Sequence, residues 1–270
     1  MRLGISSYTY TWAVGVPGHP PARPMRAVDL LRKAVAHAVS VVQIADNMPL
    51  HRMSGRALDT LARRARELGI AIEVGTRGIA PEHLRAYLDL ARRFGSPILR
   101  VVVDTADQHP SEDEIVGALR GIIGEFERAR VCLAIENHDR FKAATLARIV
   151  RRVHSRAVGI CLDTANSLGA LEGPEAVVRT LLPMTVNLHL KDFAIRRVGH
   201  QMGFVVEGRP AGQGQLDIPW LLARLRNRGR DVNAILELWT PPEDDVRRTI
   251  AKEAEWAAES VRYLRQLIPA

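Results

Sequence analysis

The run Val131-Cys-Leu-Ala-Ile-Glu-Asn-His138 decides the fold: an apolar stretch ends abruptly in Glu136, Asn137 and His138. Three later runs end the same way, Val158 to Asp163, Val186 to Lys191 with His189 inside it, and Ala234 to Glu237. Each puts a carboxylate or an imidazole at the C-terminal end of a short, uncharged segment, which is where a parallel α/β barrel builds its active site. Brought to one rim, Glu136, Asp163, His189 and Glu237 form an O,O,N,O donor set suited to a divalent cation.

Strand alternation tests that grouping. Cys132, Ala134 and Glu136 share one face of their run, Gly159, Cys161 and Asp163 of theirs, and Asn187, His189 and Lys191 of the next. Ile235, Glu237 and Trp239 follow suit in the last run, so all four candidate ligands fall on faces that carry small or polar residues. Three buried acids without compensation repel one another strongly, and a divalent cation is their natural partner.

Outward from these runs, the chain reads as eight repeats of an apolar segment and an amphipathic one. This predicts a single-domain (β/α)8 TIM barrel over residues 1–270, an architecture that takes about 250 residues. The earlier strands are expected at Leu3–Ser7, Val41–Ala45, Ile70–Val74 and Ile98–Val103. Helices are expected from Met25 to His37, between the Ser54 cap and Gly69, and between Pro81 and Gly95. Further helices begin at Ser111, where Glu114 completes a capping box, at Lys142, at Pro174 and at Glu243. The glycine-rich stretch Asp192–Gln215 reads as a long loop on the catalytic face, a substrate lid or specificity loop. Lower in the barrel, Gln43, Glu73 and Arg100 face inward, and a buried structural Glu73–Arg100 pair is expected. No glycine-rich phosphate fingerprint follows the first strand, which argues against an open dinucleotide-binding sheet.

A net charge of +8 and a pI near 10.1 are compatible with a nucleic-acid partner or an anionic substrate. Only four lysines are present, however, and the clusters Arg63-Arg64-Arg66, Arg92-Arg93 and Arg151-Arg152 fall on the polar faces of expected helices. A solvated outer ring of helices is the reading, with no nucleic-acid partner. Cys132 and Cys161, both inside apolar runs, are expected as reduced buried thiols. With no leader-like start and no run approaching ~18 apolar residues, a cytoplasmic protein without membrane contact is expected. A homo-oligomer is compatible with these features.

The segments Ile135-Glu-Asn-His138, Cys161-Leu-Asp-Thr-Ala-Asn-Ser167, Leu188-His-Leu-Lys-Asp192 and Ile235-Leu-Glu237 resemble the xylose isomerase-like barrels. The resemblance covers essentially the whole chain and lies with the sugar and sugar-phosphate isomerase/epimerase branch, which includes ketose 3-epimerases, hydroxypyruvate isomerase and inosose-processing enzymes. It implies Glu136, Asp163, His189 and Glu237 as metal ligands, and Glu136 and Glu237 as paired catalytic carboxylates. It also implies a substrate contact for Arg209, in Arg-Pro-Ala-Gly-Gln-Gly214. Asn166, a further candidate substrate contact, departs from the His that ketose epimerases carry in their Asp-x-x-His.

These groups support proton transfer next to a carbonyl. The expected function is a divalent-metal-dependent isomerase or epimerase acting on a sugar, keto-sugar or sugar derivative through an enediolate, with Glu136 and Glu237 as the acid/base pair. Lys191 and His138 are placed to neutralise a developing oxyanion, and Tyr8 and Trp12 to wall the carbohydrate substrate. Mn²⁺ is the expected metal, with Mg²⁺, Co²⁺ and Zn²⁺ compatible. Enolate formation is equally the first step of a metal-dependent lyase, either a dehydratase or a 3-keto-C-glycoside deglycosidase. An endonuclease IV-like nuclease is disfavoured by missing histidines, and a metal-free binding protein by the acidic cluster.

Overall fold

The structure, a computed structural model, describes residues 1–229 and 231–269. The apolar runs form strands β1 (Leu3–Ser6), β2 (Val41–Ile44), β3 (Ala71–Arg77), β4 (Ile98–Val102), β5 (Cys132–Glu136), β6 (Val158–Asp163) and β7 (Thr185–Leu190). After them come β8 (Asp192–Arg197), β9 (Phe204–Arg209) and β10 (Ala234–Leu236). Strands β1 to β7 and β10 close into a single parallel (β/α)8 barrel, in which β1 pairs with both β2 and β10.

Helices α1 (Thr11–Val14), α2 (Ala27–Ala36), α3 (Gly55–Glu67), α4 (Pro81–Phe94), α5 (Glu112–Ala129), α6 (Ala143–Val153), α7 (Pro174–Leu181), α8 (Ile218–Asn227) and α9 (Val246–Leu267) accompany the strands. Their ends are written locally. The Ser54 hydroxyl accepts from Ala57 N–H at the start of α3, and Ser111 and Glu114 form the reciprocal box that opens α5. Gly95 ends α4 at φ +66°, a left-handed conformation that costs a residue without Cβ little. On α3, Leu58, Leu61, Ala62 and Ala65 are buried while Arg63, Arg64 and Arg66 are exposed, so the arginine clusters do lie on the outer face. Both cysteines are free thiols; Cys161 is buried, but Cys132 is only partly so. No described helix is long and apolar enough to cross a membrane.

Three expectations are corrected. Asp192–Gln215 is not a structureless loop, because β8 and β9 form an antiparallel hairpin with Asp192 opposite Arg209. Phe193 and Ile195 on β8 and the run Phe204-Val205-Val206 on β9 favour strand on either side of a glycine-containing turn, and that pairing outweighs the loop signal of the glycines. Helix α8 was not expected, although Asp217 caps it through Trp220 N–H and Pro219 lies in its first turn. Strand β3 continues to Arg77, three residues beyond its expected end at Val74.

Candidate active site

The ends of β5, β6 and β7 are cross-linked at the rim. The Asn137 side chain accepts from Asp163 N–H at 2.7 Å and donates to Asp163 C=O at 2.8 Å. The Thr164 hydroxyl donates to Lys191 C=O and accepts from Lys191 N–H. One oxygen of Asp163, Oδ1, accepts from Ala165 N–H and Asn166 N–H, which leaves Oδ2 aimed inward.

His189 is common to two groups of closely spaced donors, Asp163–His189–Glu237 and Glu136–Cys161–His189. His189 Nδ1 lies 3.3 Å from Glu136 Oε2, 3.4 Å from Glu237 Oε1 and 3.8 Å from Asp163 Oδ2. Ligands that share one ion at about 2.1 Å have spacings of this size. Asp163 Oδ2, His189 Nδ1 and both Glu237 oxygens are buried without a hydrogen bond. Unsatisfied buried acceptors are costly, and a divalent cation would satisfy them together, so the residues fit such an ion. The Lys191 ammonium, 2.8 Å from Asp163 Oδ2 and 2.9 Å from Glu237 Oε2, offers charge to these oxygens but lies off their hydrogen-bond directions.

A second layer holds the imidazole. His189 Nε2 is 2.7 Å from Gln43 Oε1, so this nitrogen donates to the amide oxygen and the ring is held with Nδ1 turned toward the acids. Gln43 Nε2 in turn donates to Glu73 and Asn187, and Glu73 also accepts from the amides of Asn187 and Asn233. The expected Glu73–Arg100 pair does not form. Glu73 satisfies its oxygens with amides, while Arg100 reaches up the barrel, its Nε donating to Glu136 Oε2 and its Nη1 to Asp46 Oδ1 at 2.6 Å. Length decides this, since only arginine spans from a mid-strand position to carboxylates at the rim.

Burial alone would raise the Glu136 carboxyl, but Arg100, His189 and Lys191 outweigh it and hold the group below its usual range. Glu237 is held lower still: burial opposes ionisation, and His189 and Lys191 overcome it. The two glutamates differ in their partners. Glu136 accepts from Arg100 on one oxygen and from Asn166 Nδ2, at 2.7 Å, on the other, whereas neither Glu237 oxygen has a hydrogen bond.

A cavity of about 420 Å³ opens above this cluster, lined by Tyr8, Trp12, Glu136, His138, Asn166, Lys191 and Glu237 of the residues named from sequence. Asp163 and His189 lie fully buried beneath it. Arg209 is not in its wall: it bonds Gly208 C=O and pairs with Glu207 on the hairpin. Three residues that sequence reasoning did not assign to the site belong to it. Arg77 and Arg100 line the cavity, and Asp46 joins them, accepting from Tyr8 O–H at 3.0 Å. Asp46 also ends an apolar run in a carboxylate, the signal that could have marked it. A larger groove of about 1130 Å³ includes Pro97, Val131, Cys132 and Ala157, at or just before strand starts. That is the face where this architecture builds stability, so its size does not outrank the chemistry at the other end.

The Trp12 wall is tied down from α9. Glu253 accepts from Trp12 N–H at 2.9 Å and Ala13 N–H at 3.1 Å, and the Trp12 indole donates to Thr240 C=O. Burial pushes the Glu253 carboxyl up to about 7 despite these bonds. With the folded value above the unfolded one, this group's contribution is fully present below the ordinary carboxylate range and is lost as pH rises through about 7. Glu253→Gln should therefore flatten the fall in thermal stability between about pH 5 and about pH 8, by on the order of 3 kcal/mol. Parallel stability curves for variant and parent would show that Glu253 ionises normally.

The family model described as Xylose isomerase-like TIM barrel matches residues 31–267. A curated relative, 3-oxo-isoapionate decarboxylase from Pectobacterium atrosepticum, is 34% identical over 266 residues, covering 98% of this chain and 95% of the relative. A solved D-psicose 3-epimerase, obtained in the presence of D-fructose, matches with a TM-score of 0.75 at 16% identity, with 100% of each chain covered. A xylose isomerase-like TIM barrel protein from Mycobacterium smegmatis, in complex with magnesium, matches at 0.71 and 13% identity, with 97% of each chain covered. The two solved structures share the fold, while the matched model and the full-length relative carry the assignment: this chain belongs to the xylose isomerase-like TIM barrel family.

Proposed function

We propose that this chain is a divalent-metal-dependent lyase that decarboxylates a 3-oxo sugar acid. The observation that carries the reading is the cationic wall of the cavity, Arg77, Arg100 and Lys191, set beside the acid–imidazole cluster. At the rim, Asp46, Glu136, Asp163 and Glu237 bring four negative charges against these three cations, while Glu73 lies deeper in the barrel among the amides of Gln43, Asn187 and Asn233. A divalent ion would leave one positive charge over, which a monoanionic substrate neutralises and a neutral ketose does not. The relative at 34% identity is named for decarboxylation of a 3-oxo acid, which supports the same choice.

In this reaction the bond between C1 and C2 breaks, its electron pair passes to the 3-oxo oxygen to give an enolate, CO₂ leaves, and C2 takes up a proton. A bound divalent ion supplies electrophilic stabilisation of the charge that develops on that oxygen; Glu136, Asp163, His189 and Glu237 would hold it. Glu136, engaged on both oxygens, serves as a fixed carboxylate. Lys191 and Glu237, 2.9 Å apart at the cavity, form the proton-delivering pair. Decarboxylation needs one such group, whereas a two-base epimerase needs two.

Epimerisation or isomerisation of a keto-sugar is the second reading, favoured by the convergence of Glu136 and Glu237 on one nitrogen, a geometry that also serves two-base proton transfer. Incubating Mn²⁺-loaded protein with 3-oxo-isoapionate and, separately, with D-psicose distinguishes the two. The first should yield CO₂ and a product one carbon shorter, with one solvent deuterium at the former C2 when the reaction runs in D₂O. Epimer formation from D-psicose, with no CO₂ from the acid, would overturn the decarboxylase reading.

A further inference from the structure

Arg77 is the least committed of the cavity's cations. It is the last residue of β3, its side chain is 33% exposed, and the strand stops just beyond it, where Gly78 N–H donates to Val102 C=O. Its two bonds are long: Nε to Asp46 Oδ2 at 3.3 Å and Nη1 to Asp104 C=O at 3.4 Å. Asp46 is meanwhile held more closely by Arg100 Nη1 at 2.6 Å and by the Tyr8 hydroxyl. Arg100 is buried and spends its guanidinium on Glu136 and Asp46. Two guanidinium groups thus share one aspartate, and among the described residues Arg77 Nη2 has no hydrogen-bond partner.

A guanidinium presents paired N–H donors in a plane, the arrangement that matches a carboxylate in bidentate fashion. Taking the decarboxylase reading, on which it rests, we propose that Arg77 is the specificity-determining residue that binds the carboxylate of the substrate, with Arg100 fixing the floor behind it. Loose bonds to Asp46 and Asp104 let the side chain adjust to the ligand without breaking a buried network. A surface arginine in a loose ion pair would have the same exposure, but it would not line the cavity that holds Glu136, Lys191 and Glu237.

The test uses two probes of one carbon skeleton, D-erythronate and erythritol, which differ in carrying –COO⁻ or –CH₂OH. Binding to the metal-loaded and to the metal-free protein is measured by calorimetry, alongside CO₂ release from 3-oxo-isoapionate. The parent should prefer D-erythronate. Arg77→Met should weaken D-erythronate at least ~10-fold, the lower range for a charge-assisted hydrogen bond, and leave erythritol unchanged. Arg77→Lys should recover part of the preference, because it restores the charge without the fork. Melting temperatures should stay close to that of the parent, since the bonds lost are long and partly exposed. Equal D-erythronate binding by parent and Arg77→Met, or no preference in the parent, overturns the assignment. The two readings fail separately: CO₂ released with unchanged kcat/KM by Arg77→Met leaves the decarboxylase and removes the carboxylate site, whereas a lost erythronate preference without any CO₂ from the parent does the reverse.

Discussion

Replacing Glu237 by Gln should lower turnover at least ~10²-fold, the lower range for losing a positioned proton-transfer group, with little change in fold. The amide keeps an oxygen for a cation but cannot take up or release a proton beside the Lys191 ammonium, 2.9 Å away. Among the described residues no hydrogen bond ends on either Glu237 oxygen, so the network around it has little to lose. Glu136→Gln should behave differently. Arg100 is buried, with its Nε on Glu136 and its Nη1 on Asp46, so neutralising Glu136 leaves part of a buried charge uncompensated. Breaking such a pair costs roughly 3–5 kcal/mol, less here because glutamine can still accept from Arg100. The expected signature is a clear fall in melting temperature for Glu136→Gln and a nearly unchanged one for Glu237→Gln, each with a loss of turnover. A Glu237→Gln protein that keeps near-parent turnover on a verified substrate rules out the proton-delivering pair.

Metal removal should abolish activity. Dialysis against a chelator is expected to eliminate turnover and lower the melting temperature, and Mn²⁺, Mg²⁺ or Co²⁺ should restore both. An ion that binds only the folded chain stabilises it by about 2.7 kcal/mol when present at 100 times its dissociation constant. The physical basis is the set of buried atoms Asp163 Oδ2, His189 Nδ1 and Glu237 Oε1, which have no hydrogen-bond partner among the described residues. Asp163→Ala should remove the metal-dependent rise in melting temperature. Elemental analysis that finds no bound metal, together with identical melting curves with and without each ion, would exclude the metal centre.

The runs ending at Glu136, Asp163, Lys191 and Glu237 show why the barrel was legible in the sequence. Strand length, alternation and helix caps depend on neighbours along the chain, as at Ser54, Ser111 and Gly95, and a parallel barrel brings the C-terminal ends of its strands to one rim. Four strand-end residues could therefore be grouped before any distance was known, and His189 Nδ1 does face the other three. The hairpin of β8 and β9 was less legible, because its pairing links residues 192 and 209 and those between them carry the glycine signals of a loop.

The partners of the long side chains were beyond the sequence. Arg100 lies beside Gly75 and Ala134 in the sheet register, a position that fits a partner at either depth of the barrel. Only the assembled interior shows that Gln43, Asn187 and Asn233 satisfy Glu73, which frees Arg100 for Asp46 and Glu136. The same holds for Arg77, whose place in the cavity follows from three extra residues of β3, and for Arg209, which turns to Glu207 instead. The sequence by itself determined which residues stand at the rim, since backbone periodicity is local. Tertiary structure decided which charges meet there, because a flexible cationic side chain takes the partner that competing hydrogen bonds across the barrel leave available.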